Sequence, residues 1–247
     1  MVVLTLGALG GMVGMTIAAV AASYGADQRF WPWPRDRVRG YGASSRARCA
    51  PARALISPYA HRGHALMRLL SVGVVTATTF DGLGMHYAAA PTLLLISMVE
   101  ATLLLLLLVI DLEARLVPTP IVGLLVAVAL ASANLWPGVG LRDALIGGAI
   151  GIASFAALDG LARLLYGAGA FGLGDALLAL VVGCITGYPL VVATLALGVI
   201  LGGVGALVVL LVSRGGLRSA TPYGPYVISG LLVMLIHGNT MHLCIAW

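Results

Sequence analysis

Nine side chains of this 247-residue sequence are carboxylic acids, and two of them, Asp111 and Asp175, stand where an acid is costly. Asp111 follows directly on the apolar run 103–110, and Asp175 follows Phe171-Gly172-Leu173-Gly174. Two carboxyls within hydrogen-bonding distance in a poorly polarisable site cannot both ionise, so they share a proton. One can then deprotonate a water while the other, protonated, donates to the carbonyl oxygen of a scissile amide. That is the chemistry of aspartic proteases, and it needs neither metal nor cofactor. Gly172 and Gly174 suit such an acid because glycine allows unusual backbone angles and close approach of another chain segment. With 33 glycines in the sequence, one Gly-x-Gly-Asp carries little weight alone. The bland alternative is that both acids are helix-end residues in headgroup water, with Asp175 capping its helix.

The elements that must position these acids follow from composition. Sixty per cent of the residues are hydrophobic and 9% charged, against roughly 25% charged in soluble domains. All fourteen basic residues are arginine, and nine of them lie between residues 29 and 68. So little charge cannot cover a soluble surface, and disorder or a disulfide scaffold is excluded by the apolar content and by only three cysteines. The expectation is an all-α, polytopic transmembrane bundle of about eight spans. The uncharged or nearly uncharged stretches are 2–22, 69–87, 92–110, 119–135, 144–166, a short sixth at 176–187, 190–212 and 226–243. An N-terminus outside puts loops 23–68, 111–118, 164–175 and 213–225 in the cytoplasm, with thirteen arginines, counting Arg68 and Arg163 at helix ends, and leaves only Arg142 outside. Two spans separate Asp111 from Asp175, so both fall on the cytoplasmic edge. No positive charge precedes the first apolar run, so it is expected to be a retained helix rather than a cleaved signal. The final Cys244-Ile245-Ala246-Trp247 is not read as a prenylation box.

Other polar residues within the spans have structural readings beside functional ones. Glu100 is mid-span and should face the bundle interior, protonated or paired, as a hydrogen-bonding group or as a participant in substrate binding or proton traffic. Asp159 and Arg163, four apart on a helix, should pair near the interface, with Asp159 a secondary candidate for the rim of a site. Asp81 is read as structural, and Arg142-Asp143 as an external turn. His237 and His242 would need a third ligand to hold a metal. Gly7/Gly11, Gly147/Gly151 and Gly198/Gly202 are small-residue pairs that permit close helix packing. The basic loop, with Phe30, Trp31 and Trp33 among its arginines, suits anionic lipid better than nucleic acid.

Three blocks together resemble the prepilin peptidases, membrane aspartic proteases that process type IV pilin and pseudopilin precursors. Asp111-Leu112-Glu113-Ala114-Arg115-Leu116-Val117-Pro118 looks like their first catalytic block, an acid ending one span and a proline opening the next. Gly172-Leu173-Gly174-Asp175 resembles their second, Gly-x-Gly-Asp. Thr221-Pro222-Tyr223-Gly224-Pro225-Tyr226 is similar to a Pro-Phe-Gly-Pro-Phe turn before their final span. The resemblance spans roughly residues 90–240 and divides the chain into a peptidase core of six helices at 91–247 and a degenerate N-terminal part at 1–90, which contains the basic loop 25–68. It implies that Asp111 and Asp175 are catalytic, supported by Gly172, Gly174, Pro118, Pro222, Gly224 and Pro225. It further implies cleavage of a prepilin or pseudopilin leader at the cytoplasmic face of a bacterial inner membrane.

The sequence departs from that pattern twice. Ala176 and Leu177 follow Gly-x-Gly-Asp where relatives carry a lysine two residues on. The first loop has Cys49 alone, with Ala52 three residues on, where bifunctional relatives have two Cys-x-x-Cys pairs. One thiolate cannot build a four-cysteine zinc site, so no N-methyltransferase activity, metal or cofactor is expected. Cys49, His61 and His64 are the nearest approach to a metal set in that loop. The rival from another class is a non-catalytic bundle: a decayed paralogue serving as an assembly subunit, or a small transporter using Glu100 and Asp159.

Overall fold

The computed structural model describes residues 2–26, 58–114, 117–166, 172–212 and 224–245. Among the described residues the chain is helical throughout, with no strand. In order, the helices are α1 (Val2–Ala26), α2 (Pro58–Tyr87), α3 (Pro91–Ala114), α4 (Thr119–Ser132), α5 (Leu141–Tyr166), α6 (Leu173–Thr186), α7 (Leu190–Val212) and α8 (Gly224–Ile245). A 3-10 turn, Ala133–Leu135, finishes α4. Proline stands at the first or second position of α2, α3, α4 and α8 (Pro58, Pro91, Pro120 and Pro225), where its missing N–H removes no helical hydrogen bond.

The helical membrane bundle read from the sequence is thus the fold. Three stretches are long and apolar enough to cross a membrane, Pro91–Leu112, Leu141–Leu164 and Leu190–Val208, and shorter apolar helices lie at Thr5–Ala21, Thr119–Leu135, Gly174–Thr186 and Gly224–His237. Helix α2 begins at Pro58, eleven residues before the expected span. The extension follows from a proline start and from Ala60, Ala65, Leu66 and Met67, all good helix formers bar the proline. The loop residues 27–57, Cys49 among them, lie outside the described residues, as do the side chains of His61 and His64.

Helix α3 is the centre of the bundle. Half of its span is buried inside the protein, against 17% of α7's. It packs on α1 and α2 on one flank and on α4 and α8 on the other, while α6 packs on α4, α5, α7 and α8. Helices α3 and α6 therefore share two neighbours, α4 and α8, and the ends of these four elements define the region around both aspartates. Leu104, Leu107, Leu125, Val181 and Leu231 fill the space between them.

Small residues set the closest approaches. Along α5 and α6, a Cβ at Gly147 would overlap the Gly183 carbonyl and one at Gly151 the Ala179 carbonyl. Main chain meets main chain here, as the Gly147/Gly151 pair leads one to expect. The α1–α2 seam differs from expectation. Gly10 lies on Ala77 and Thr76, and Gly14 on Gly73, while a Cβ at Gly11 would meet nothing within 4 Å. Gly7 is still a contact, but with the Asp81 carboxylate. At the α6–α7 corner, Gly187 has φ +65°, a left-handed conformation open to glycine, and Tyr188 N–H donates to the Asp143 carbonyl at 3.1 Å. The buried hydroxyls of Thr76, Thr186 and Thr194 return to carbonyls four residues back in their own helices.

Candidate active site

Asp111 occupies the last turn of α3 and is buried, 7% exposed. Leu112 after it is exposed, and the chain turns at Val117-Pro118 into α4. Pro118 has φ −68° and ψ 112°, an extended geometry in which its carbonyl accepts the N–H groups of Ile121 and Val122 at 3.1 and 3.2 Å. That pair of bonds opens α4 where Pro120 can donate nothing.

Asp175 is the third residue of α6. Its Oδ2 accepts the Gly172 N–H at 3.2 Å, and its own N–H donates to the Gly172 carbonyl at 3.1 Å. The side chain thus reaches back to cap its helix, which fixes the carboxyl at the helix start. It stands in the first turn of α6, at the edge of the apolar stretch Gly174–Thr186. Partial burial pushes its carboxyl above the usual carboxylate range, and the Gly172 N–H offsets part of that rise.

The glycines act through close approach rather than through unusual angles. Gly172 is extended, with φ −96° and ψ 156°, a conformation open to any residue. Gly174 lies inside the first helical turn, and a Cβ there would stand 3.0 Å from Val117 Cγ2 and 3.2 Å from Val117 Cβ. The residue before Asp175 is therefore pressed against the connection that follows Asp111.

A second contact closes the other side. Gly224, the first residue of α8, lies so near Asp111 that a Cβ would overlap Oδ2, and would stand 3.1 Å from Asp111 Cγ and 3.2 Å from Leu178 Cδ1. Leu178 is three residues, about one turn, beyond Asp175. Pro225 follows, buried, with its carbonyl accepting the Ser229 hydroxyl at 2.7 Å. The end of α3 and the beginnings of α4, α6 and α8 therefore meet at one end of the bundle. They bring together Asp111, Gly174, Asp175, Val117 and Gly224. Arg115, Leu116, Phe171, Pro222 and Tyr223 lie outside the described residues.

Two further acids stand elsewhere. Glu100 is fully buried on α3, eleven residues or about 16 Å of helix before Asp111. Ser132 Oγ lies 3.5 Å from its Oε1, and Oε2 has no hydrogen-bond partner among the described residues. Its neighbour is on α4, so it ties two helices deep in the bundle and is not part of the Asp111 cluster. Asp159 pairs with Arg163 at 2.5 Å, as the spacing predicts. The α5–α6 contacts Gly147–Gly183 and Gly151–Ala179 run antiparallel, so continuing the register one turn brings buried Phe155 level with Asp175, and Asp159 is one turn beyond Phe155. At the opposite end of the bundle a small cavity is lined by Tyr87, Trp136, Thr186 and Leu235 among others, with the Tyr87 hydroxyl donating to the Leu235 carbonyl at 3.0 Å. The rings of His86 and His237 face each other at a tilt of 59°, with centres 5.2 Å apart. Among the described residues, no three His, Cys, Asp or Glu side chains converge as metal ligands.

The resemblance carried by the block from Thr221 to Tyr226 named Gly224 as site support, but sequence reasoning missed that its α-carbon meets the Asp111 carboxylate, since the block says nothing of what the glycine touches.

Residues 98–207 match the family described as the type IV leader peptidase family, a stretch that contains both Asp111 and Asp175. The match supports the resemblance drawn from the motif blocks, and it indicates a protease. No curated protein and no solved structure matches the chain.

Proposed function

We infer that this chain is an integral membrane leader peptidase of the type IV family, and that Asp111 and Asp175 activate the water that cleaves a prepilin or pseudopilin leader. One observation carries the assignment: both aspartates sit at the same end of the bundle, joined through Gly174–Val117 on one side and Asp111–Gly224–Leu178 on the other. The family match over residues 98–207 supports it. So does the arginine distribution, which favours a cytoplasmic position for that end.

In this reading the partly buried Asp175 holds the shared proton and donates it to the oxygen of the scissile carbonyl. Asp111 takes a proton from the attacking water, so a tetrahedral diol forms without net charge. Collapse breaks the C–N bond as the proton on Asp111 passes to the leaving amine and one hydroxyl of the diol returns its proton to Asp175, which leaves a carboxylic acid, a free amine and the starting pair. Gly224 and Gly174 keep side chains out of the space beside the acids. Without the lysine that relatives carry after Gly-x-Gly-Asp, no cation from position 177 tunes the pair. Methyl transfer to the new terminus is not part of the proposal.

The test is leader removal from a co-expressed prepilin. Asp111→Asn and Asp175→Asn should each abolish cleavage while the protein still inserts, and normal processing by either variant would remove the assignment. A second reading, a non-catalytic assembly subunit, is favoured by the capping bond from Gly172 to Asp175. It requires that the parent protein leave every offered precursor uncleaved.

A further inference from the structure

We propose that Gly205 of α7 is a positioning residue for the Asp111–Asp175 pair, acting through Tyr226 and the first turn of α8; this rests on the peptidase reading above. A Cβ at Gly205 would overlap three atoms of Tyr226: Cε1, Cζ and the hydroxyl oxygen. The far end of the Tyr226 ring therefore rests on bare α7 backbone. Tyr226 is two residues after Gly224, in the same helical turn, and Gly224 has Asp111 against one side and Leu178 near it.

The remainder of the α7–α8 seam is held deeper in the bundle. A Cβ at Gly198 would lie 3.2 Å from Val227 Cα, and one at Gly230 would lie 3.1 Å from the Gly198 nitrogen. Those contacts are backbone to backbone and fix the angle between the helices. The Gly205–Tyr226 contact fixes the first turn. A methyl group at position 205 must push the ring away, and the turn that carries the ring also carries Gly224. Gly224 can yield little, since the space beside its α-carbon is already filled by the Asp111 carboxylate. The displacement is passed to Asp111, and catalytic carboxyls tolerate very little of it.

The experiment uses the full chain in membranes, with a prepilin whose cleavage by the parent is abolished by Asp111→Asn. Gly205→Ala should lower kcat about 10- to 100-fold with KM changed less than about 3-fold, because geometry rather than substrate binding is disturbed. Gly203→Ala, on the same helix with nothing within 4 Å of its Cβ, should stay near the parent. Adding Tyr226→Leu to Gly205→Ala removes the overlapping atoms, and the double variant should be no slower than Tyr226→Leu alone. Retained kcat in Gly205→Ala, or losses that multiply in the double variant, would overturn the proposal while leaving the peptidase reading intact. If Gly205→Ala fails to accumulate, the double variant decides: accumulation with activity supports the contact, and failure overturns it. A parent with no Asp111-dependent cleavage removes the functional reading and this inference with it.

Discussion

The Asp111 carboxylate rests against the α-carbon of Gly224, 113 residues further along the chain, closely enough that no side chain fits between them. This contact ties the end of the central helix to the start of the last one. It makes an otherwise ordinary Gly-Pro helix start part of the environment of an acid.

Gly224→Ala is expected to reduce leader cleavage by about 100-fold, since a methyl group must displace a carboxyl whose placement sets the rate. Insertion should persist, because the overlap is local. Rates measured beside the thermal midpoint of the purified protein would separate the two effects, and parental cleavage would show that Asp111 needs no such contact.

The pH profile should show an alkaline limb governed by Asp175. Burial raises its carboxyl above the ordinary range, so the proton it donates is present below that value and lost as pH rises through it. The same sign applies to stability: a raised carboxyl favours the folded protein at low pH, and that contribution fades as the group ionises. Asp175→Asn should therefore gain on the parent at about pH 7.5 relative to about pH 4. The gain should be at most about 2 °C in Tm, because the group is partly exposed and screened.

Glu100→Gln should leave cleavage within about 2-fold of the parent, because Glu100 lies three turns of α3 from Asp111 and faces Ser132 instead. An amide preserves that contact and avoids burying an acid. Glu100→Ala should cost about 2 kcal/mol through the cavity it opens between α3 and α4. A large loss of cleavage in Glu100→Gln with unchanged stability would put Glu100 in the reaction.

Gly151→Ala should destabilise by about 1–3 kcal/mol, since its methyl group would overlap the Ala179 carbonyl on α6. Gly160→Ala, where nothing lies within 4 Å, should be neutral or slightly stabilising. Thermal midpoints of the two variants compare directly, and equal values would mean that α5 and α6 are not in backbone contact.

Much of this was legible in the chain. Low charge and long apolar runs dictate a helical bundle. The parity of spans puts Asp111 and Asp175 at one end, and a spacing of four gives the Asp159–Arg163 pair. What escaped depends on rotation and register between helices, which spacing alone leaves open. Gly7, Gly10 and Gly14 carry the α1–α2 seam, while a Cβ at Gly11 would meet nothing within 4 Å, because helix rotation decides which face meets the neighbour. Ser132 as the neighbour of Glu100, and Gly224 as that of Asp111, are pairings across different helices with no local signature. Gly172 looked like a position needing special angles, yet it is extended, and the demand for a missing side chain falls on Gly174, through Val117.

Because the α5–α6 seam sets carbonyls against the α-carbons of Gly147, Gly151 and Gly183, with the Cys184 and Leu180 side chains laid over Gly148, most of it is main chain that cannot repack. That hairpin must travel as one stiff plank with Asp175 riding at its tip.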